Sequence, residues 1–298
     1  MLQGKVGIIT GAGGGIGRAI ALELGRLGAA VIVNDIGAAL DGGSTGSRPA
    51  DEVVAAIAAE GGRAVADHGS VTEYSACQAM VQRAIDSFGR LDFVVHNAGI
   101  LRDRVFHKLA PEDFDAVLAV HVGGGFRICR AAAGHFRQQG SGAFVLMTST
   151  SGLIGNVGQS AYATAKLGLV ALTRGIALDM RRFGVRANAI APFAWTRMTA
   201  SIPGAEDDPR LANLRRCTPE QIAPVVAWLA SDEAAEVNGQ IFVVRGGELG
   251  LFDPPRPGRA VIHPGGWTSA NVGQAMASLR PAMAGLQTTG EVYGYDVP

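Results

Sequence analysis

The sequence predicts an α/β chain of the doubly wound type, with seven parallel strands in one sheet and helices on both faces. Three observations carry that expectation. Short runs rich in Val, Ile and Ala alternate with longer segments of helical periodicity. The runs are apolar throughout rather than at every second residue, as strands buried on both faces require. A glycine-rich turn joins the first run to the first helical segment, where folds of this class receive a ligand.

In chain order, residues 6–10 read as a strand and 16–27 as a helix stopped at Gly28. Residues 30–34 form the next strand, and a Gly/Ser-rich loop over 37–49 leads to a helix over 51–60. A strand over 63–66, a helix over 73–88 and a strand over 93–95 follow. Pro111 suits the first position of a helix that runs to 138, interrupted at the glycines 123–125. Residues 144–147 and 185–190 are strands flanking a long helix over 159–182. Pro219 opens a helix to about residue 231, and 241–244 is the last strand. From Pro254 the composition shifts to Pro, Gly and Arg, with one amphipathic helix over 268–279 capped by Thr268 or Ser269.

With 48% hydrophobic and 17% charged residues among 298, a sizeable core is expected and disorder is not. Lys plus Arg balance Asp plus Glu at 26 each, which argues against nucleic-acid or membrane-surface binding. Glycine is abundant at 42 residues, and much of it lies in loops after apolar runs, where backbone approaches a ligand. Cys77, Cys129 and Cys217 are far apart and form no C-x-x-C, so neither a disulfide framework nor a metal site is expected. The N-terminus lacks a signal-peptide pattern, and no apolar span of 18 residues is evident; the expected location is cytoplasmic.

The turn Thr10-Gly-Ala-Gly-Gly-Gly-Ile-Gly17 follows a strand and opens a helix, the context a dinucleotide fingerprint needs. Gly11, Gly13, Gly15 and Gly17, with Ile16, let a pyrophosphate approach the backbone at a helix N-terminus. Asp35 ends the second strand; a carboxylate there accepts ribose hydroxyls and repels a 2′-phosphate, so NAD is expected in preference to NADP. Arg18 near the loop is the contrary signal and reads as a solvated helix residue. Tyr162 and Lys166 stand at i and i+4 on one helix face, with Ser149 upstream. A free tyrosine titrates at about pH 10. A lysine ammonium beside it favours the phenolate, and a serine hydroxyl beside it holds a substrate oxygen.

Together these pieces resemble the short-chain dehydrogenase/reductase family. The matching motifs are the Gly11-x-x-x-Gly15-x-Gly17 turn, Asn97-Ala-Gly99, Ser149, Tyr162-x-x-x-Lys166 and Pro192, spread in order over residues 5 to about 247. The resemblance implies a doubly wound Rossmann-type fold with a seven-stranded parallel sheet, usually in homodimers or homotetramers. Residues 1–250 would form the NAD-binding catalytic domain. Residues 251–298 would form a C-terminal extension packed on that domain or on a partner subunit. Tyr162 would be the general acid/base, Lys166 would lower its pKa and hold the nicotinamide ribose, and Ser149 would orient the reacting oxygen. Asn97, Ala98, Gly99, Pro192 and Thr196 would face the cofactor.

A narrower likeness is to the (3R)-hydroxyacyl-CoA dehydrogenase domain of peroxisomal multifunctional enzymes. It rests on Val33-Asn-Asp-Ile-Gly37, Asn97-Ala-Gly-Ile-Leu-Arg-Asp-Arg104, Val120-His121, Gly155-Asn-Val-Gly-Gln159 and Ala191-Pro-Phe-Ala-Trp-Thr-Arg-Met198. The expected reaction is interconversion of a secondary alcohol and a ketone, on 3-hydroxyacyl-CoA and 3-oxoacyl-CoA. The alternatives are a hydroxysteroid, a 3-oxoacyl group on a carrier protein, a noncatalytic NAD-responsive interaction protein, or a scaffold subunit suggested by the long tail.

Two positions depart from the family pattern. His121 stands where the family commonly has an asparagine that supports the lysine, and either continues a proton relay or is a core histidine. After the third strand, Gly69 occupies the place of the family's adenine-facing Asp, leaving the backbone near Val71, or a shifted Asp67, to meet the adenine. Residues 193–219 read as a mobile lid, with Met198, Ile202 and Leu211 offered to an apolar pocket or to packing. Arg102 and Arg104 suit either CoA phosphates or solvent.

Overall fold

A computed structural model describes residues 1–38, 48–196 and 213–294. Seven strands are parallel, and all but the edge strand β3 are largely buried: β1 (Val6–Thr10), β2 (Ala30–Asn34), β3 (Arg63–Asp67), β4 (Phe93–His96), β5 (Gly142–Met147), β6 (Val185–Phe193) and β7 (Ile241–Arg245). The sheet has eight strands rather than seven, in the order β3-β2-β1-β4-β5-β6-β7-β8. The eighth, β8 (Glu248–Leu251), pairs antiparallel with β7 through Gly246 and Gly247. Gly246 has φ +57, which a tight hairpin of this kind demands.

Alternate strand residues point to opposite faces. Ile9, Val33, Val95 and Val145 meet α1 (Gly15–Arg26), α2 (Pro49–Ala59) and α8 (Ala223–Ala230) in one core layer. Ile8, Ile32, Val94 and Phe144 form the other with α3 (Tyr74–Phe88), α5 (Gly124–Gln139) and α7 (Ser160–Met180). Each fully buried side chain of this size contributes about 1.5–3 kcal/mol of transfer free energy.

The helix opened by Pro111 is not broken at the glycines. Between α4 (Pro111–Leu118) and α5 the chain makes a π-helical turn over Ala119–Gly123 and continues. Gly124 and Gly125 sit beneath Val71, His96 and Leu169, where a Cβ would come within 2.7 Å of Val71 and 2.8 Å of Leu169. Close packing thus overrides the low helix propensity of glycine. The resulting span, Pro111–Gln139, is long and apolar enough to cross a membrane by length and composition, contrary to the expectation of no such span. Here its α5 face packs on α3 and on the strands β4 and β5.

After β8, Phe252 N–H donates to the Ile241 carbonyl. Beyond a largely exposed stretch, α9 spans Val272–Leu279; Asn271, not Thr268 or Ser269, precedes it as cap residue. A short helix, α10 (Thr289–Tyr293), then returns to the sheet domain.

Candidate active site

The strand order reverses between β1 and β4, and ligands of doubly wound sheets sit at the carboxyl ends of the strands there. A cavity of about 450 Å³ lies at that place. Gly11, Gly15, Ile16, Asp35 and Val71 line it. Asn97, Ala98, Gly99 and Thr196 line it as well.

The wall is tied together by polar contacts. Thr10 Oγ1 accepts the N–H groups of Asn97 and Ala98, each at 3.1 Å. Asn97 Nδ2 donates to the Gly11 carbonyl at 2.9 Å. Gly11 has φ +63, and a Cβ there would lie 2.7 Å from Ala98 Cα. Gly13 N–H donates to Asp35 Oδ2 at 2.9 Å, and a Cβ on Gly13 would approach that oxygen to 2.8 Å. Gly17 is buried beneath the turn, against Gly11 and Asn97. The tight glycine turn, the helix start and the carboxylate suit the pyrophosphate and ribose of a dinucleotide. Asp67 is taken up elsewhere: its carboxylate accepts from Asn34, Gly69 N–H and Arg83 at 3.0, 2.9 and 3.1 Å.

A second cavity, of about 250 Å³, adjoins the first, since Ile16 and Thr196 line both. Ser149, Tyr162 and Pro192 line it. Ser149 follows β5 and caps the short helix α6 (Thr150–Leu153), accepting Ser151 N–H at 3.1 Å. Its hydroxyl donates to Ser151 Oγ at 3.2 Å, and Ser149 and Tyr162 line the same cavity. Burial pushes the Tyr162 phenol up to about 12, while the neighbouring Ser149 hydroxyl pulls it down. Lys166 lies one turn further along α7, buried, with Nζ 5.4 Å from the Tyr162 ring centroid. Its ammonium donates to the Met147 carbonyl at 2.7 Å, and burial pushes its pKa down to about 7. Ser149 therefore shares the cavity with the phenol, and Lys166 Nζ approaches the Tyr162 ring.

His121 lines neither cavity. The π-helical turn brings its buried ring edge-on to Tyr162, at 5.4 Å between centroids. Nε2 lies 3.0 Å from the Ile100 carbonyl and 3.2 Å from Ile100 N–H, and Nδ1 has no hydrogen-bond partner among the described residues. Burial holds the imidazole neutral, well below its usual range, and the Lys166 charge adds to this. Its backbone carbonyl faces Nε2 of a second buried histidine, His96, at 2.9 Å.

A polar chain beside Ser149 was not singled out as functional by sequence reasoning. Ser151 Oγ donates to Gln159 Oε1 at 2.8 Å, Asn156 Nδ2 donates to Ser151 Oγ at 2.9 Å, and Gln159 Nε2 donates to Asp103 Oδ2 at 2.7 Å. Ser151, Asn156 and Gln159 line the second cavity, and their closeness to Tyr162 in sequence is the signal available for them. Met198, Ile202 and Leu211 of the expected lid lie outside the described residues. Phe193, Ala194, Leu214 and Cys217, flanking that segment, line the second cavity. Arg102 lines the first cavity, 3.5 Å from Asp113, whereas Arg104 is exposed.

Residues 11–248 match the family described as Enoyl-(Acyl carrier protein) reductase. The chain is 42% identical over 292 residues to a hydroxyacyl-CoA dehydrogenase, ChsB1, of Mycobacterium tuberculosis, covering 95% of this chain and 90% of that one. It is 44% identical over 260 residues to peroxisomal multifunctional enzyme type 2 of Mus musculus, covering 87% of this chain and 34% of that enzyme. The crystal structure of a short chain dehydrogenase from Mycobacterium avium superposes with a TM-score of 0.83 at 40% identity, covering 96% of this chain and 98% of that one.

Proposed function

Because the chain belongs to the short-chain dehydrogenase/reductase family, an oxidoreductase family acting on CH–OH groups with a nicotinamide cofactor, we propose that it interconverts 3-hydroxyacyl-CoA and 3-oxoacyl-CoA with NAD. The observation that carries the substrate is the likeness to a hydroxyacyl-CoA dehydrogenase over nearly the whole of both chains. The polar chain Ser151–Gln159–Asn156 supports it. It offers hydrogen-bonding groups beside Ser149 and Tyr162, where a substrate with a second carbonyl one methylene from the reacting carbon needs them.

The dinucleotide would rest on Gly11, Gly15 and Ile16, with Asp35 at the adenosine ribose and Asn97–Gly99 and Thr196 toward the nicotinamide. When bound, its nicotinamide ring supplies the hydride acceptor or donor. The chain's own residues handle the proton. Ser149 holds the substrate oxygen against the phenol. Tyr162 gives its proton to that oxygen as the alcohol forms and takes it back in the reverse direction. Lys166 and the ring of His121 fix the phenol from behind, His121 as a neutral positioning residue. The Asp35 carboxylate at the cavity rim supports NAD over NADP, since a 2′-phosphate there meets a like charge.

A cofactor-linked absorbance screen tests this reading, with 3-oxoacyl-CoAs and oxosteroids each offered with NADH and NADPH. Turnover of acyl-CoA with NADH should exceed the other combinations by at least about tenfold in kcat/KM, a difference of about 1.4 kcal/mol. Preference for a steroid would overturn the substrate, and preference for NADPH the cofactor.

A further inference from the structure

The C-terminal segment touches the catalytic region through α10. Thr288 and Glu291 form a reciprocal cap, with Thr288 N–H donating to Glu291 Oε2 at 2.6 Å and Glu291 N–H to Thr288 Oγ1 at 3.4 Å. This fixes the first turn, so that Thr289 is its leading residue. Thr289 N–H donates to the Gly155 carbonyl at 2.9 Å, and Thr289 Oγ1 approaches the same oxygen at 3.3 Å. Gly155 lies just beyond α6, the helix capped by Ser149. At the other end of α10, Arg245 Nη1 donates to the Tyr293 carbonyl at 2.8 Å, and the Tyr293 ring meets Phe193 edge-on at 5.1 Å. The short helix thus spans from the Ser149 segment to the end of β6. Thr289, 8% exposed, lines the same cavity as Ser149, Tyr162 and Phe193.

We propose that Thr289 is a specificity-determining residue: α10 is a wall of the acyl pocket, and the Thr289 side chain sets the width available to substrate beyond the reacting carbon. The assignment rests on the acyl-CoA reading above. With the hydroxyl committed to Gly155, the methyl is the part whose volume is free to vary. An apolar wall discriminates by size, and one methylene in such a pocket is worth roughly 10–200-fold in kcat/KM.

The test uses the full-length chain and its Thr289→Leu and Thr289→Ser variants. kcat/KM is measured with NADH for 3-oxobutanoyl-CoA and for long-chain 3-oxoacyl-CoAs, and NADH binding is titrated separately by fluorescence. Thr289→Leu should lower the long-to-short ratio about tenfold or more. Thr289→Ser keeps the bond to Gly155 and removes only the methyl; it should raise that ratio several-fold. NADH affinity should stay within about twofold of wild type in both. If Thr289→Leu fails to fold, the Thr289→Ser ratio decides. Profiles parallel to wild type with NADH binding intact overturn the assignment while leaving the acyl-CoA reading in place. A wild-type chain inactive on every acyl-CoA overturns that reading, and the assignment with it.

Discussion

Burial acts on Tyr162 and Lys166 in opposite directions, pushing the phenol up to about 12 and the ammonium down to about 7, so both are driven toward their neutral forms. The lysine shift has a consequence for stability. Between pH 7 and about 10.5, the unfolded chain keeps the Lys166 proton and the folded chain sheds it, so stability rises with pH across that window. Below pH 7 the buried cation imposes its full cost. Lys166→Met is therefore expected to stabilise the fold at pH 6 by on the order of a few kcal/mol, raising the unfolding temperature, while inactivating the chain. Thermal unfolding followed from pH 6 to pH 10 checks this, and the gain should shrink steadily toward the alkaline end. A gain independent of pH would mean that the substitution acts through packing alone. The closeness of Tyr162 and Lys166 was legible in the sequence because i and i+4 share a helix face, and the glycine turn because it joins a strand to a helix, whereas Ser149 reaches them through the fold. Thr289 was not legible, because what brings it to the pocket is the return of a distant tail, and the Thr288-x-x-Glu291 cap beside it announces only a helix start.

The strands were readable to within a few residues because buried parallel strands are apolar throughout. β8 was missed because its residues alternate between half-buried and exposed. The signal present was the Gly246-Gly247 pair between Arg245 and Glu248, which pair across the hairpin. The helix over Pro111–Gln139 was read with a break because three successive glycines are poor helix formers. Its continuity comes from neighbours that need the absent side chains. Gly125→Val is thus expected to drive a branched side chain into Leu169 and His96, costing about 1–3 kcal/mol. Denaturant unfolding checks it, with the midpoint falling and the slope unchanged. A midpoint equal to wild type would show that the packing beneath α5 is loose. The π-helical turn before those glycines is what turns His121 inward against the Tyr162 ring, a placement that no 3.6-residue periodicity announces.

Across the whole molecule, the sheet's reversal between β1 and β4 puts two cavities side by side, one shaped for a dinucleotide and one holding Ser149 and Tyr162, joined at Ile16 and Thr196. Binding to the folded chain alone stabilises it by mass action, by about 2.7 kcal/mol at a hundredfold excess over Kd. NADH should accordingly raise the unfolding temperature more than NADPH at equal concentration, and equal shifts would remove Asp35 as a selector. The central claim is that Tyr162 moves the proton while the adjoining cavity independently binds the dinucleotide. Tyr162→Phe, titrated with NADH by fluorescence and assayed for acyl-CoA turnover, tests it most directly. NADH affinity should stay within about threefold of wild type, while kcat falls by at least the roughly 10²-fold or more that general acid–base catalysis supplies. Near-native turnover in that variant would contradict the account.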